Sequence, residues 1–543
     1  MKKHKGKILV LFLAVLLVSA SACKNPFLKK MLVEEEKGKT VPQVPKHTIT
    51  FGVGSGLGTL KATVDGNEIN SGDSVEQGKS VVFTAEPAEG YVLEQWTNAG
   101  TVIGEAGMDT SYTYTVTANA GIKVKFQSLF VEGGASLILS PDKLDIRVNV
   151  IAVGTVTVEG CTETELQSGT ATVLHAKGTL VILKGKITGL YCYGNQLTAL
   201  NVQGCTALQT LDCFNNKLTA LNVQGLTALQ GLHCDSNRLT VLNVQGLTAL
   251  QKLWCVDNQL TELNVQGLTA LKELRCNGNQ LTALNVQGLT ALKELYCGHN
   301  HLTSLNVQGL SALQGLSCGK NQLTALNVQG LTALKSLECY SNQLTELNVQ
   351  GLTALQTLYC ADNQLTALNV QGLTALQYLY CYNNQLTELN VQGLTALERL
   401  YCDGNQLTEL NVQGLTALQY LYCRGNQLTE LNVQGLTALE RLGCGSNQLT
   451  ELNVQGLTAL KWLNCSGNQL NVDAFKKLFD DLPVRADSDD AKCILYTEES
   501  GVSEGNHTDF TAPQDLKDAF DNAKIVKKWK MYKLDADGHK VEL

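Results

Sequence analysis

The sequence predicts a mainly β protein in which a small all-β module precedes a long solenoid that an α/β cap closes. A cysteine returns every 21 residues from Cys192 to Cys465, fourteen times in all, within the pattern L-x-x-L-x-C-x-x-N-x-L. A fixed period of about 20–50 residues is typical of a solenoid, whose repeats bury their apolar faces only against their neighbours. Residues before the repeats alternate between apolar and polar, as strands do, and residues after them show a helical period.

Residues 1–22 are predicted to be an export signal. Four lysines precede an apolar run, Ile8 to Val18, which is too short to span a bilayer and is followed by small residues. Two interpretations share one site. Ala20-Ser21-Ala22 fits an A-x-A cleavage sequence, which would release a secreted protein. The same residues before Cys23 resemble a bacterial lipobox of the loose, spirochaete type, which would make Cys23 a lipid anchor in the membrane.

Residues 23–45 are charged and lack alternation, which predicts a flexible tether. Residues 46–128 alternate between Gly, Asn and Asp turns and predict antiparallel strands. The pattern A-x-P-x-x-G-Y-x-x-x-x-W at 85–96 resembles the bacterial repeat domain related to internalin B-repeats. The resemblance implies a stalk or spacer, and Tyr91 and Trp96 are expected in its core.

Residues 129–186 are β-rich and are predicted to cap the exposed end of the solenoid. Residues 187–470 should form 14 turns of 21 residues. In each turn, as at Leu211 and Cys213, apolar side chains point inward, Asn216 bonds backbone groups of adjacent turns, and Gly225 makes a corner. This frame resembles the bacterial 21-residue leucine-rich-repeat class with cysteine in the strand.

Residues 471–543 predict an α/β cap, because Val472 to Leu482 has one apolar face. A strand at Cys493–Tyr496, a second helix near Pro513 with Thr511 as its cap, and a final strand from Ile525 to Tyr532 should follow. Trp529 is expected in the core. This part resembles the C-terminal region of spirochaete-type leucine-rich-repeat lipoproteins.

The chain has 18 cysteines, which in an exported protein often form disulfides. Here fourteen occupy an inward strand position, where neighbouring turns hold them about 4.8 Å apart. We therefore expect core packing rather than disulfides or a metal site. The roles of Cys161, Cys205 and Cys493 stay open.

The positions that vary between repeats flank the inward leucine and cysteine, so they point outward and should line the concave face. Eleven of the sixteen tyrosines lie there. Tyr, Trp and Arg are enriched at binding hot spots, and Tyr gives a large contact area at low entropic cost. The candidate ligand-binding residues are Phe214, Trp254, Arg275, Tyr296, Tyr359, Tyr378, Tyr380, Tyr382, Arg399, Tyr401, Asp403, Tyr420, Tyr422, Arg424, Arg441 and Trp462. The strongest patch should lie between Tyr359 and Arg441.

The formal charge is -8, and without the four lysines of the first 22 residues the remainder carries -12. An acidic chain is a poor binder of nucleic acid. The sequence shows no catalytic, cofactor or metal motif, so we expect neither an enzyme nor a cofactor. The favoured function is a cell-surface or outer-membrane protein that binds a protein, such as a host component. The alternatives are a glycan-binding surface protein and a structural envelope protein that associates with itself.

Overall fold

The computed structural model describes residues 43–543 apart from Glu89 and Met108. The predicted export signal, Cys23 and most of the predicted tether lie outside the described residues. The chain divides after Leu129 into two compact units. No helix in the described part of the chain has both the length and the apolar character needed to cross a membrane.

The first unit is a small all-β module. Its strands are β1 (Lys46–Ser55), β2 (Gly58–Val64), β3 (Asn67–Glu68), β4 (Asp73–Glu76), β5 (Ser80–Pro87), β6 (Tyr91–Asn98), β7 (Thr101–Val102), β8 (Ser111–Thr115) and β9 (Ala120–Ser128). They form two sheets, ordered β4-β1-β9-β6-β7 and β3-β2-β5-β8. Phe83 and Trp96 are fully buried in one core, and Trp96 Nε1 donates to the Asp109 carbonyl at 2.8 Å. Tyr91 is only half-buried and packs against that core.

An antiparallel β region begins the second unit. Its strands are β10 (Gly134–Ile138), β11 (Asp145–Glu159), β12 (Glu165–Leu166), β13 (Thr172–His175), β14 (Leu180–Tyr191) and β15 (Ala199–Asn201). β14 runs without interruption through the boundary predicted between 186 and 187. Its first part pairs antiparallel with β10, and its end pairs parallel with the first repeat strand, Leu190 opposite Leu211. The region therefore covers the backbone groups of the solenoid's first edge.

Thirteen three-residue parallel strands follow, one per turn. They are β16 (Thr210–Asp212), β17 (Gly231–His233), β18 (Lys252–Trp254), β19 (Glu273–Arg275), β20 (Glu294–Tyr296), β21 (Gly315–Ser317), β22 (Ser336–Glu338), β23 (Thr357–Tyr359), β24 (Tyr378–Tyr380), β25 (Arg399–Tyr401), β26 (Tyr420–Tyr422), β27 (Arg441–Gly443) and β28 (Trp462–Asn464). The register is constant, so the middle leucines stack in one buried column. This is the predicted mainly β solenoid.

The buried asparagines hold adjacent turns together. Asn216 Nδ2 donates to the carbonyls of Cys192 and Cys213 at 3.1 and 2.9 Å, and its Oδ1 accepts from Leu197 N at 2.9 Å. The same three bonds recur turn after turn as far as Asn468. The corner glycines, such as Gly225 with φ of 81°, adopt the left-handed conformation that glycine tolerates. The predicted asparagine ladder and glycine corner are confirmed.

All seventeen described cysteines are free and buried, as expected for core packing. Cys161, Cys205 and Cys493 belong to the same core as the cysteine column. Cys493 lies opposite Leu463 in the neighbouring strand, so it occupies the position of a repeat leucine. These three cysteines therefore fill apolar positions at the two ends of the solenoid.

The C-terminal cap consists of α1 (Val472–Asp481), β29 (Lys492–Thr497), α2 (Gln514–Ile525), β30 (Lys530–Leu534) and β31 (Lys540–Glu542). β29 extends the ladder by pairing parallel with β28. Trp529 is buried, and its Nε1 donates to the Pro483 carbonyl at 2.8 Å. The cap therefore covers the last strand and buries the end of the core.

Two details of the cap differ from the sequence prediction. Ile525 ends α2 with its side chain exposed, and the last parallel strand begins only at Lys530, because the helical period of Leu516 and Phe520 continues through this segment. Thr511 does not cap α2. Pro513 occupies the N-cap without a side-chain bond, whereas the Thr511 hydroxyl donates to Asp509 Oδ1 at 2.6 Å.

Candidate functional site

The outward side of β14 to β28 carries the variable residues, and we call it the ladder face. Each turn contributes the two residues that flank the inward leucine and the residue after the cysteine. Because the strands pair in constant register, equivalent residues of successive turns form a column that runs along the solenoid. Successive residues of one column are about 4.8 Å apart. A side chain on this face therefore meets the equivalent side chains of the previous and next turns.

Aromatic and cationic side chains stack in the first half of the ladder face. Tyr193 and Phe214 form an exposed pair with ring centroids 5.0 Å apart. His233, Trp254, Arg275 and Tyr296 form what we call the N-terminal stack. The His233 and Trp254 centroids are 4.1 Å apart, and the Arg275 guanidinium lies 4.6 Å from the Trp254 ring and 5.0 Å from the Tyr296 ring. Arg275 is also paired with Glu273 at 2.6 Å.

Six rings follow one another in the second half of the face, and we call them the tyrosine column. They are Tyr340, Tyr359, Tyr380, Tyr401, Tyr422 and Trp462. Successive centroids are 4.4, 5.3, 4.9, 4.7 and 5.5 Å apart. The rings lie face to face in the Tyr340–Tyr359 and Tyr401–Tyr422 pairs and are tilted in the other three pairs. The Tyr359 hydroxyl shares a 2.5 Å hydrogen bond with that of Tyr382.

Gly443 leaves the space in which Trp462, the last ring of the tyrosine column, contacts Tyr422. Gly443 stands in register with Tyr422, where the preceding turns carry tyrosine. A Cβ at Gly443 would lie 2.7 Å from Tyr422 Cδ1 and 3.4 Å from Trp462 Cζ3. The Trp462 ring thus occupies the space that a side chain at 443 would need, although Trp462 belongs to the neighbouring column.

That neighbouring column alternates tyrosine and arginine, and we call Tyr378, Arg399, Tyr420 and Arg441 the arginine row. The Arg399 guanidinium lies 5.5 Å from the Tyr378 ring and 4.9 Å from the Tyr420 ring, and that of Arg441 lies 5.7 Å from the Tyr420 ring. These are cation–π distances, within the roughly 6 Å range of that interaction. Arg399 Nε is buried with no hydrogen-bond partner.

A cavity of about 300 Å³ lies where the tyrosine column meets the C-terminal cap, and we call it the end cavity. Asp403, Arg424 and Trp462 line it from the ladder, and Glu499 and Lys540 line it from the cap. Arg424 is paired with Glu499 at 2.9 Å. Burial raises the pKa of Asp403 to about 6, although its carboxylate accepts the Arg424 backbone N–H at 3.0 Å.

The hydroxyls of Tyr359 and Tyr401 stay protonated over the physiological range. Burial raises the pKa of Tyr359 and of Tyr401 above the ordinary value for tyrosine. A protonated phenol both donates and accepts a hydrogen bond. Tyr359 and Tyr401 can therefore offer neutral hydroxyls on a mostly apolar support.

All sixteen candidate residues lie on the ladder face, and the structure sorts them into separate groups. Phe214 lies apart with Tyr193, and Trp254, Arg275 and Tyr296 belong to the N-terminal stack. Tyr382 lies beside the tyrosine column, with its hydroxyl bonded to that of Tyr359, and the remaining members fall in the tyrosine column, the arginine row or the end cavity. The candidate set lacked Tyr340, which follows its cysteine as Phe214 does, and the cap residues Glu499 and Lys540. Nothing in the repeat period could have located those two cap residues.

The unvarying exposed residues have structural roles that the sequence did not show. Asn222 Oδ1 accepts the Gln224 N–H at 3.0 Å, and Gln224 Nε2 donates to the Asn243 carbonyl of the next turn at 2.8 Å. Their constancy is explained by these bonds. Constancy at these positions therefore says little about function, and the case for a binding face depends on the aromatic columns.

In the described ranges, one group of side chains could supply ligands to a cation: the half-buried Asp535 with the exposed Asp537 and His539, between β30 and β31. Asp535 Oδ1 already accepts the backbone N–H groups of Asp537 and His539 at 3.0 and 2.8 Å. The turn therefore accounts for this cluster without a metal.

The fold and this face together define a leucine-rich-repeat protein whose strands carry a cysteine ladder. Family models agree. Residues 58–129 match the divergent InlB B-repeat domain, and residues 353–396 match two copies of the leucine-rich repeat. No curated protein sequence matches the chain significantly.

Solved structures show the same relationship. The functional domain of InlJ from Listeria monocytogenes, described as including a cysteine ladder, is 32% identical with a TM-score of 0.53, over 62% of this chain and 72% of that one. A leucine-rich-repeat protein of Leptospira interrogans is 31% identical with a TM-score of 0.50, over 54% and 81%. YopM from Yersinia enterocolitica is 25% identical with a TM-score of 0.51, over 63% and 67%. The chain belongs to the bacterial leucine-rich-repeat proteins and carries an InlB-type repeat domain before the repeats.

Proposed function

We propose that this chain is a non-enzymatic, exported surface protein that binds a protein ligand, such as a host component, through the ladder face. Residues 1–22 would direct export, and Cys23 would carry the lipid anchor unless simple cleavage releases the protein. The InlB-type repeat domain and residues 23–45 would act as spacers. The contact surface would centre on the segment from Tyr359 to Arg441.

The tyrosine column is the observation that carries this proposal. Six adjacent aromatic rings form a large contact surface that loses little side-chain entropy on binding. Contiguous aromatic surface of this kind marks interaction sites in soluble proteins. Arginine and tryptophan, the other residues enriched at hot spots, lie beside it.

The ring geometry favours a protein ligand over a glycan. Sugars stack on an open aromatic face, whereas Tyr340, Tyr359, Tyr401 and Tyr422 are stacked at interplanar angles of 19° and 21° within their pairs. The other ring pairs of the column are tilted by 38–52°. The two stacked pairs thus leave less open ring face for a sugar, whereas a surface of aromatic rings with phenol hydroxyls suits the mixed apolar and hydrogen-bonding surface of a protein.

Binding of the full-length chain to arrays of extracellular-matrix proteins and glycans tests the proposal. A variant with Tyr380→Ser, Tyr401→Ser and Tyr422→Ser should lose at least about thirtyfold in affinity for a protein target. The matched control is Glu388→Ser, Glu409→Ser and Glu430→Ser, which changes exposed residues of three turns on another side of the solenoid. The control should bind like the unaltered chain.

Other outcomes would contradict the proposal in distinct ways. A glycan hit that the tyrosine variant loses would assign the face to carbohydrate. Protein binding that survives the tyrosine changes would move the site elsewhere. Concentration-dependent oligomers that form without added ligand and dissociate in the tyrosine variant would favour the structural envelope role.

A further inference from the structure

The arginine row carries positive charge that its surroundings do not balance. Within the described ranges, neither Arg399 nor Arg441 forms an ion pair, and the nearby carboxylates are engaged elsewhere. Glu398 accepts the Tyr378 hydroxyl at 3.2 Å, and Glu440 is paired with Lys461 at 2.8 Å. The guanidinium groups are thus held among aromatic rings without a counter-ion.

A third cation extends the row from the C-terminal cap. Lys540 of β31 places its Nζ 5.9 Å from the Trp462 ring centroid, and it too has no ion pair in the described part of the chain. Arg441, Trp462 and Lys540 line a cavity of about 410 Å³ between the ladder and the cap. Arg441 and Lys540 are exposed on either side of Trp462, so an anion can reach both cations from solvent.

The acidic residues beside this cavity do not cancel the charge of the row. Asp490 lies between Lys492 and Lys530, at 2.5 and 2.7 Å. Asp489 accepts only the neutral Ala486 backbone N–H at 2.9 Å, but the cavity is lined by four basic side chains against two acidic ones. Lys461 is already paired with Glu440. Arg441 and Lys540 therefore remain as the cations available to an incoming group.

The spacing of the row suits an extended peptide. Arg399 and Arg441 are two turns apart, or about 9.6 Å at the usual strand spacing. A polyproline II helix rises about 3.1 Å per residue with three residues per turn, so every third side chain returns to the same face after about 9.3 Å. Acidic residues at every third position would thus meet successive arginines.

We propose that the arginine row and Lys540 bind an acidic peptide segment in an extended, polyproline II-like conformation, with carboxylates at every third residue. The carboxylates contact Arg399, Arg441 and Lys540, and the intervening residues pack on Tyr378, Tyr420 and Trp462. This proposal rests on the proposed function, because it names the chemistry of the ligand for the same face. A peptide is favoured over a sulfated polysaccharide because the Arg399 guanidinium already lies over the Tyr378 and Tyr420 rings, which leaves less open ring face for a sugar to stack on.

The test is fluorescence anisotropy with the full-length chain and three fluorescein-labelled peptides. One contains four Asp-Pro-Pro triplets, the second has Asn in place of Asp, and the third has the composition of the first with its Asp residues grouped at one end. We expect the first to bind at least about tenfold more tightly than each of the others. Raising the salt concentration should reduce this advantage.

The variants separate charge from folding. Arg399→Gln with Arg441→Gln should bring the Asp-Pro-Pro peptide to the affinity of the Asn peptide, and Arg399→Lys with Arg441→Lys should retain part of the advantage. Arg238→Gln is the control, because it removes the same charge from an exposed position outside the ladder face. It should leave peptide affinity unchanged, and circular dichroism should show that all variants are folded.

Three results would overturn the proposal. The Asp peptide could bind no better than either comparison peptide, or the Gln pair could leave its affinity unchanged. A heparin oligosaccharide could bind more tightly than the peptide and be lost in the Gln pair, which would assign these cations to sulfated polysaccharide. If any of these results is obtained while protein binding still depends on the tyrosines, only the assignment of an acidic peptide is wrong. Loss of that tyrosine dependence would defeat the proposed function itself.

Discussion

Arg275 and Arg399 occupy similar settings in the two halves of the ladder face. Each guanidinium lies between two aromatic rings, at 4.6 and 5.0 Å for Arg275 and at 5.5 and 4.9 Å for Arg399. Arg275 is paired at 2.6 Å with Glu273, which stands two residues before it. The residue two positions before Arg399 is not acidic, so Arg399 has no such partner. Stacking is therefore common to both halves, and the availability of charge for a ligand distinguishes them.

The largest expected effect tests whether the buried asparagines stabilise the two halves of the solenoid equally. Asn258→Ala and Asn405→Ala each remove three buried hydrogen bonds to backbone groups of adjacent turns. Leaving those groups unsatisfied should lower the free energy of unfolding by about 3–5 kcal/mol in both variants. Urea denaturation measures this. Clearly unequal losses would mean that the halves differ in the scaffold as well as in the surface.

The next effect concerns the close packing of the second half. Gly443→Ala places a methyl group 2.7 Å from Tyr422 and should destabilise the protein by about 1–3 kcal/mol, with loss of the ring contact to Trp462. Gly231→Ala in the first half is the control, since its Cβ would lie 3.8 Å from the nearest atom. Thermal melting and near-ultraviolet circular dichroism report both changes. Equal effects at the two glycines would remove this distinction.

A pH titration compares two buried carboxylates at equivalent positions. Burial raises the pKa of Asp403 to about 6 from 3.8, and it also raises the pKa of Asp235. Between pH 3.8 and about pH 6, Asp403 is protonated to a greater extent in the folded state than in the unfolded state. Stability should therefore fall as the pH rises through about 4 to 6, by up to about 2–3 kcal/mol.

The variant Asp403→Asn should lack this loss, so its stability relative to the unaltered chain should increase from pH 4 to pH 7, about the range over which Asp403 ionises. Denaturation midpoints at several pH values measure the difference. Asp235→Asn should behave in the same direction. A relative stability that does not change with pH in Asp403→Asn would show that this carboxyl titrates normally.

The smallest effect bears directly on the charge difference. Arg275→Gln removes an ion pair with the largely buried Glu273 and should cost about 1–2 kcal/mol of stability. Arg399→Gln removes a cation with no counter-ion and a buried Nε without a partner, so it should change stability by about 0.5 kcal/mol or less. Urea denaturation of the two single variants distinguishes them. A larger loss for Arg399→Gln would mean that its charge is balanced within the folded chain.

The repeat period was sufficient to predict the solenoid, because each turn is specified by residues within it and its neighbours. Leu211, Cys213 and Asn216 take the inward places that the pattern assigns to them. The same local logic failed at the C-terminal cap. There a strand was predicted from Ile525, whereas packing of the Leu516 and Phe520 face continues the helix through Ile525.

The ladder face was predictable as a set of residues and not as an arrangement. Alternation along the strand places Tyr380 and Tyr401 outside, and constant register brings their rings to 4.9 Å. Trp462 packs against Tyr422 over Gly443, and this depends on the side-chain conformation of Trp462, which residue spacing does not predict. Glu499 and Lys540 join the site from segments with no repeat pattern, so only the folded cap reveals them.

The cysteine column has a practical consequence for following how this solenoid opens. Every turn from Cys192 to Cys465 holds one thiol in the dry interior, and burial raises the pKa of these thiols, so the reactive thiolate is scarce while the turn is closed. Brief treatment with iodoacetamide would therefore alkylate a turn only when it becomes exposed to solvent. Peptide mass spectrometry would then rank the turns by their opening free energy, and would show whether the solenoid frays from its caps or breaks in the middle.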